Sequence, residues 1–273
     1  PAVVVEGAVA ACRELGIPVM LVGDKAAIER EVARVGGGAL PVEIRHASQV
    51  VGMAETPSVA LRRKRDSSLR IAAELVRDGH ASAFISAGNT GAAMAIAMFV
   101  IGVLRGIDRP AIAAVLPSLK RYTVLLDVGA NVTPKPWHLF QYALMGHVYA
   151  RGILGVERPR VGLLSVGEEE GKGNDLTKEA YDQLKESSLN FVGNVEGRDI
   201  YNGECDVVVT DGFTGNVALK ISESLADMLG AMIKEELSRD LRSKVGAALA
   251  LPAFQRFKKR VDYTEMGGAP LLG

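Results

Sequence analysis

Cysteine is nearly missing from this chain: Cys12 and Cys205 are the two among 273 residues, and they lie far apart. That excludes a disulfide framework and fits a reducing compartment. Net charge is missing too, because 32 basic residues balance 32 acidic ones, so no electrostatic signature of a nucleic-acid partner is present. The longest apolar run, Gly91 to Leu104, has 14 residues against the roughly 20 of a membrane span, and it reads as a buried helix. His46, His80, His138 and His147 show no metal-ligand spacing, so no metal is expected. No G-x-S-x-G elbow and no G-x-G-x-x-G after a strand signal is found, which removes the usual serine hydrolase and dinucleotide sites. The run GEEEGKG from Gly167 to Gly173 is one residue short of the Walker spacing, with Gly173 in place of its serine or threonine. No cofactor is expected, and no signal peptide is visible. The chain opens at Pro1 without methionine and stops at Gly273, so both ends read as cut.

What is present in excess is glycine, 30 residues in a chain that is 48% hydrophobic and 23% charged. An ordinary share of glycine is about 7%. The glycines gather where apolar runs end. Short β-branched runs alternate with longer amphipathic ones, the pattern of βαβ units and a mostly parallel sheet with helices on both faces. Strands are expected at 19–22, 83–86, 123–128, 161–166 and 206–210. Helices are expected from Lys25, from Thr56 to about Arg77 with Pro57 at its first position, from Gly91, from Pro136, from Asn174 and from Asn216. The whole of 1–273 reads as a single α/β catalytic domain, with a helical protrusion at about 217–262.

Four strand-to-helix turns share one design: SAGNTGA from Ser86, DVGAN from Asp127, SVGEEEGKGN from Ser165 and TDGFTGN from Thr210. In a parallel sheet such turns collect at the carboxyl edge, where ligands bind. Glycine lets backbone approach an anion closely, and the N–H groups of a helix start hold phosphate oxygens. A phosphate-bearing substrate is therefore expected on Ser86, Gly88, Asn89, Thr90, Gly91, Asn131, Gly167, Asn174, Gly212, Thr214 and Gly215. Lys172 and Asn216 are the candidates for charge neutralisation and catalysis. Asp127 and Asp211 at strand ends are either proton acceptors or turn caps.

Taken in order, SAGNTGA, DVGAN, LSVGEEEGKGN, EGRDI, DVVVTDGFTGNVALK and YTEMGGAPLLG closely resemble the bacterial phosphate acyltransferase family, PlsX, over essentially the whole chain. The resemblance implies a homodimer with the fold of phosphotransacetylases and the isocitrate dehydrogenase group. It implies a cytoplasmic enzyme that makes acyl phosphate from acyl carrier protein thioester and inorganic phosphate, starting phospholipid synthesis. The product would pass to an acyl-phosphate-using glycerol-3-phosphate acyltransferase. Relative to the family pattern, an opening strand and glycine-aspartate turn and a closing histidine-glycine-serine segment are missing. The same turns would also serve a phosphotransacetylase acting on acyl-coenzyme A; a membrane-docked scaffold is the non-enzymatic alternative.

Two further features bear on partners. Arg62, Arg63, Lys64 and Arg65 form a basic run that is either a docking surface for an acidic carrier protein or a solvated helical face. Residues 245–254 (VGAALALPAF) are apolar between basic flanks, with Pro252 marking a turn or kink. Leu249, Leu251 and Phe254 are thus candidates for peripheral contact with an anionic membrane, or for packing in a dimer hairpin.

Overall fold

The computed structural model describes residues 1–261 and 268–273. The stretch 262–267, with the end of the expected protrusion and the start of YTEMGGAPLLG, lies outside the described residues. The chain divides into two compact units, Pro1–Leu104 with Leu272, and Arg105–Leu271 with Gly273.

The first unit runs α1 (Ala2–Leu15), β1 (Val19–Gly23), α2 (Lys25–Arg34), β2 (Val42–His46), α3 (Pro57–Arg63), α4 (Ser68–Arg77) and α5 (Thr90–Val100). Strands β1 and β2 pair in parallel. Val5, Val9, Leu21, Ile28 and Val32 pack between them and the first two helices. A second cluster joins Ala60, Leu69, Ala73 and Ile96 of α3, α4 and α5.

Two expectations fail in this unit. The segment 83–86 is not a strand: no ladder partner reaches it among the described residues, and Ile85 is 97% exposed. The helix expected over 56–77 is broken after Arg63. Ser67 caps a new helix by accepting from the Arg70 N–H, and residues 66–68 are held sideways by Gln49. The Ser68 N–H donates to Gln49 O at 3.1 Å and the Gln49 N–H to Asp66 O at 3.1 Å. These bonds turn the backbone out of the helical path.

The second unit runs β3 (Ala111–Pro117), β4 (Tyr122–Leu126), α6 (Pro136–Gly152), β5 (Val161–Leu164), α7 (Asp175–Lys185), β6 (Phe191–Val195), α8 (Asp199–Asn202), β7 (Val207–Val209), α9 (Gly212–Leu237), α10 (Leu241–Val261) and β8 (Gly268–Leu271). Its six-stranded sheet has the order β6-β5-β7-β4-β3-β8. The first four are parallel, and β3 is antiparallel to both neighbours. The right-handed crossover rule applied to this strand order assigns α6 and α7 to one face and α8 and α9 to the other. Val124, Leu126, Leu163, Val207 and Val209 are buried against Leu139 and Tyr142 of α6 and Leu184 of α7. Helix α6 lies so close to the sheet that a Cβ on Gly146 would stand 2.5 Å from Val207.

The long helix begins at Gly212, capped by Asp211, four residues before the expected start at Asn216. Its first turn packs directly on the turn after β4, and small residues make that possible. A Cβ on Gly215 would overlap the carbonyl oxygen of Asp127, and one on Gly212 would meet Asn131 backbone at 2.8 Å. The Gly212 N–H donates to Asn131 O at 2.8 Å.

Asp127 holds this junction. Its buried Oδ1 accepts from the N–H groups of Ile112 (3.0 Å) and Ala130 (2.9 Å). Its Oδ2 accepts from the Asn131 N–H (2.7 Å) and Asn131 Nδ2 (3.1 Å). Four donors and no acceptor suit an ionised carboxylate. Burial pushes the carboxyl above the ordinary aspartate value, while these hydrogen bonds pull it back down.

Asp127→Asn replaces an acceptor by a donor facing N–H groups. The expected loss is about 1–3 kcal/mol of unfolding free energy, more if the lost charge dominates. Asp211→Asn keeps a good helix cap and should cost under about 1 kcal/mol. Urea denaturation compares the two; an unchanged midpoint for Asp127→Asn would remove its anchoring role.

Candidate active site

In the parallel part of the sheet, chain direction alone collects the ends of β4, β7, β5 and β6 at one edge. The turns 127–131, 210–216, 165–174 and 196–199 therefore share that edge. Because β3 runs the other way, its beginning lies there as well: Ala113 pairs with Leu126. Two open depressions, about 390 and 340 Å³, lie at the opposite edge around Lys120, Arg121 and Tyr122, away from these turns.

The junction of the 127–131 and 210–216 turns is the tightest part of the site. Asp211 Oδ1 accepts from the N–H groups of Phe213 (3.0 Å) and Thr214 (2.9 Å), and its Oδ2 accepts from Thr214 Oγ1 (2.6 Å). The Gly215 N–H donates to Asp211 O. The positions an anion would take on the first turn of α9 are thus filled by the chain's own carboxylate. Gly212 and Gly215 serve close packing, as described above. Asn131 is 8% exposed and spends its amide on Pro110 O (2.8 Å) and Asp127. Among the described residues no partner meets the backbone N–H of Gly129, at φ +126°, or the exposed Asn216 side chain beside it. A Cβ on Gly129 would stand 3.5 Å from Asn216 Oδ1.

The loop from Ser165 to Asn174 is strapped at both flanks. Glu168 pairs with Arg198 (2.5 Å) and Glu170 with Lys185 (2.7 Å). Two of the three glutamates of the run, Glu168 and Glu170, are therefore in exposed ion pairs. Asn174 caps α7 by accepting from the Thr177 N–H at 3.0 Å. Lys172 is exposed, and among the described residues no carboxylate lies within ion-pair distance of it. Among the same residues no acceptor meets the N–H groups of Gly167 or Gly171. Gly173 needs its φ of +105° and its missing Cβ, which would strike Thr177 and Ser165.

Sequence reading missed Asn194 on β6, which is 5% exposed. Its Nδ2 donates to Glu169 O at 2.9 Å, tying the loop down from beneath. Its Oδ1 and the neighbouring Ser165 Oγ are buried without partners among the described residues. An asparagine amid apolar strand residues was the available signal.

The remaining turn, Ser86 to Gly91, belongs to the first unit. Asn89 caps α5 by accepting from the Ala92 N–H (3.0 Å), and its Nδ2 donates to Glu55 O (2.8 Å) and Met53 O (3.1 Å). Ser86 Oγ accepts from the Gly88 N–H at 3.1 Å. Thr90 opens the helix, and a Cβ on Gly91 would meet Pro57 at 3.3 Å. In the basic run of the same unit, Lys64 is drawn out of line: its Nζ pairs with Glu55 at 2.5 Å and bonds Val50 O. That pair holds the Glu55 carboxyl below its ordinary value. Arg62, Arg63 and Arg65 stay outward, and Asp66 is engaged by Ser48 rather than by an arginine.

The family described as "Fatty acid synthesis protein" matches residues 1–273. The chain is 57% identical over 273 residues to the phosphate acyltransferase of Geotalea uraniireducens, covering all of this chain and 79% of that protein. It is 56% identical over 274 residues to the phosphate acyltransferase of Nitratidesulfovibrio vulgaris, with the same coverage. In fold it is similar to a phosphotransacetylase from Streptococcus pyogenes (TM-score 0.62, 17% identity, 82% of this chain and 78% of that one). The EutD phosphotransacetylase from Staphylococcus aureus is comparable (TM-score 0.58, 16% identity, 82% and 79%). The chain belongs to the fatty acid synthesis protein family, that of the bacterial phosphate acyltransferases, and is an acyltransferase.

Proposed function

We propose that this phosphate acyltransferase takes its acyl group from the thioester of acyl carrier protein and gives it to inorganic phosphate by direct attack. One oxygen of hydrogen phosphate adds to the thioester carbonyl, and the tetrahedral oxyanion collapses with cleavage of the C–S bond. The thiolate leaves with the proton that phosphate carried, so the products are acyl phosphate and free carrier thiol. No protein nucleophile is needed, which agrees with Cys205: burial pushes its thiol up to about 12. Catalysis then reduces to holding two reactants together and stabilising the oxyanion.

The observation that carries this reading is the Gly129 N–H beside the exposed Asn216 amide, neither with a partner among the described residues, next to a helix start whose Phe213 and Thr214 N–H groups Asp211 already engages. Lys172 supplies positive charge from the adjoining loop, with the Gly167 N–H as a further donor. Asp127 and Asp211 act as anchors, since each is engaged by several donors of the chain itself. The Ser86–Gly91 turn is a second candidate anion loop in the first unit, and Arg62, Arg63 and Arg65 are the proposed docking residues for the acidic carrier.

The reaction reads out as phosphate-dependent thiol release. Asn216→Ala and Lys172→Ala should each lower it by about 100-fold, the scale of one lost oxyanion donor, without changing the circular dichroism spectrum. Near-normal turnover in both rejects the assignment. Charge reversal at the three arginines should raise KM for the carrier in a salt-dependent way while leaving kcat. Faster release from acyl-coenzyme A than from the carrier would favour the phosphotransacetylase reading, and no release from either would favour a scaffold.

The hairpin of α9 and α10 suggests where this cytoplasmic enzyme works, feeding an acyl-phosphate-using glycerol-3-phosphate acyltransferase in phospholipid synthesis. Helix α9 has 26 residues, about 39 Å at 1.5 Å each. Val217, Ile221, Leu225, Met228 and Met232 recur along it at helical spacing, yet all are exposed. Such a stripe needs a cover, and a second copy in a homodimer is the proposed one. Helix α10 continues through Pro252, so of the expected turn or kink the turn is absent. It exposes Leu249 (81%), Leu251 (53%) and Phe254 (36%) between basic flanks. No helix among the described residues is long and apolar enough to cross a membrane. We propose peripheral contact with anionic lipid. Leu249→Glu with Leu251→Glu should release the protein from vesicles of anionic phospholipid while its sedimentation stays dimeric. Retained binding overturns the lipid contact, and monomeric wild type overturns the dimer.

A further inference from the structure

The segment before β3 puts an arginine at the site edge, and buried side chains fix the backbone on either side of it. Strand β3 begins at that edge because it is antiparallel to β4; the Val128 N–H donates to Ile112 O at 3.0 Å. Just upstream, Gln141 of α6, 2% exposed, uses both ends of its amide on this segment. Its Nε2 donates to Gly106 O (2.8 Å), and its Oε1 accepts from the Asp108 N–H (3.1 Å). On the other side, the Asn131 amide donates to Pro110 O (2.8 Å). Arg109 therefore stands between two clamped neighbours, next to the turn that carries Gly129.

The side chain itself is exposed, and no carboxylate among the described residues lies within ion-pair distance of its guanidinium. Its acidic neighbour Asp108 faces His138 instead, at 4.0 Å from Nε2. That nitrogen bears the proton of the neutral ring, because His138 Nδ1 accepts from the Lys135 N–H at 3.0 Å. The positive charge of Arg109 reaches the start of α6: after burial, it is the next cause that lowers His138. It also opposes the upward push that burial and Asp127 give the Tyr142 hydroxyl. Of the two exposed arginines on this segment, Arg105 and Arg109, it is Arg109 that the two nearly buried amides hold beside the 127–131 turn, and a cation so placed suits an anion.

We propose that Arg109 binds the phosphate substrate, and the acyl phosphate made from it, through its guanidinium. This rests on the reading of phosphate as the attacking reactant. A guanidinium offers two parallel N–H donors to a phosphate dianion, whereas Lys172 offers a point charge. The two cations approach from different loops of one edge, so one can hold phosphate while the other faces the oxyanion.

The test measures KM for phosphate at saturating thioester, and the rise in Tm on adding inorganic phosphate without thioester. Arg109→Ala should raise KM by about tenfold or more, the scale of a charge-assisted hydrogen bond, and abolish the Tm rise. Arg109→Lys should recover part of both, and Arg105→Ala, on the same segment, should leave both unchanged. Wild-type KM and wild-type Tm response in Arg109→Ala overturn the assignment. If the wild type releases no thiol with phosphate, the proposed reaction fails, and the Tm response alone then decides for or against Arg109.

Discussion

The architecture of the second unit depends on one buried carboxylate. Asp127 follows β4, accepts from the Ile112 N–H of β3, folds the turn to Asn131 back on itself, and through Asn131 touches the first turn of α9. A carboxylate with four donors around it is directional where apolar packing is not. It fixes the angle between the strand ends and the helix start that the hydrophobic core leaves free. Gly212 and Gly215 are the complement of this constraint, since any side chain there would collide with the turn.

That constraint decides which groups are left to do chemistry. The N–H groups of Phe213 and Thr214 are capped by Asp211, so the helix start is already neutralised by the chain's own charge. In the proposed reaction the work therefore passes to the Gly129 N–H, the Asn216 amide and cations on two flanking loops. Rigid support comes from buried amides: Asn194 ties the 165–174 loop, while Gln141 and Asn131 tie the loop bearing Arg109. An acyl transfer to phosphate needs little more than such placement, because phosphate brings its own nucleophilic oxygen and its own proton.

The hairpin follows a different logic. Most of its large apolar side chains are uncovered within the chain, and its ion pairs, Lys220–Glu223 and Arg239–Glu236, are local to one helix turn. Local sequence gives it helical form: Asp240 accepts from the Ser243 N–H at the start of α10, which lowers the aspartate's pKa. Nothing in the described residues of the same chain gives it a core. Its folding free energy is therefore linked to whatever covers the stripe.

Short-range features were legible in the amino-acid sequence, because their causes lie within a few residues. Asn89 and Asn174 cap the helices they were expected to open, Pro136 starts α6, and alternating strand and helix signals foretold a mostly parallel sheet. The turns of β4, β5 and β7 fall on one edge, as chain direction in a parallel sheet requires. Tertiary structure alone decided the rest. Residues 83–86 have strand composition but no ladder partner, and a strand is a property of two segments. The helix over 56–77 has continuous propensity, yet Gln49, distant in sequence, bends it at 66–68. The glycines at 212 and 215, expected in anion-binding turns, also pack against the turn after β4, while the side chain of Asn216, already inside the helix, is exposed. The reason is physical: capping and periodicity are local free energies, whereas the use of a hydrogen-bonding group depends on which distant partner reaches it first.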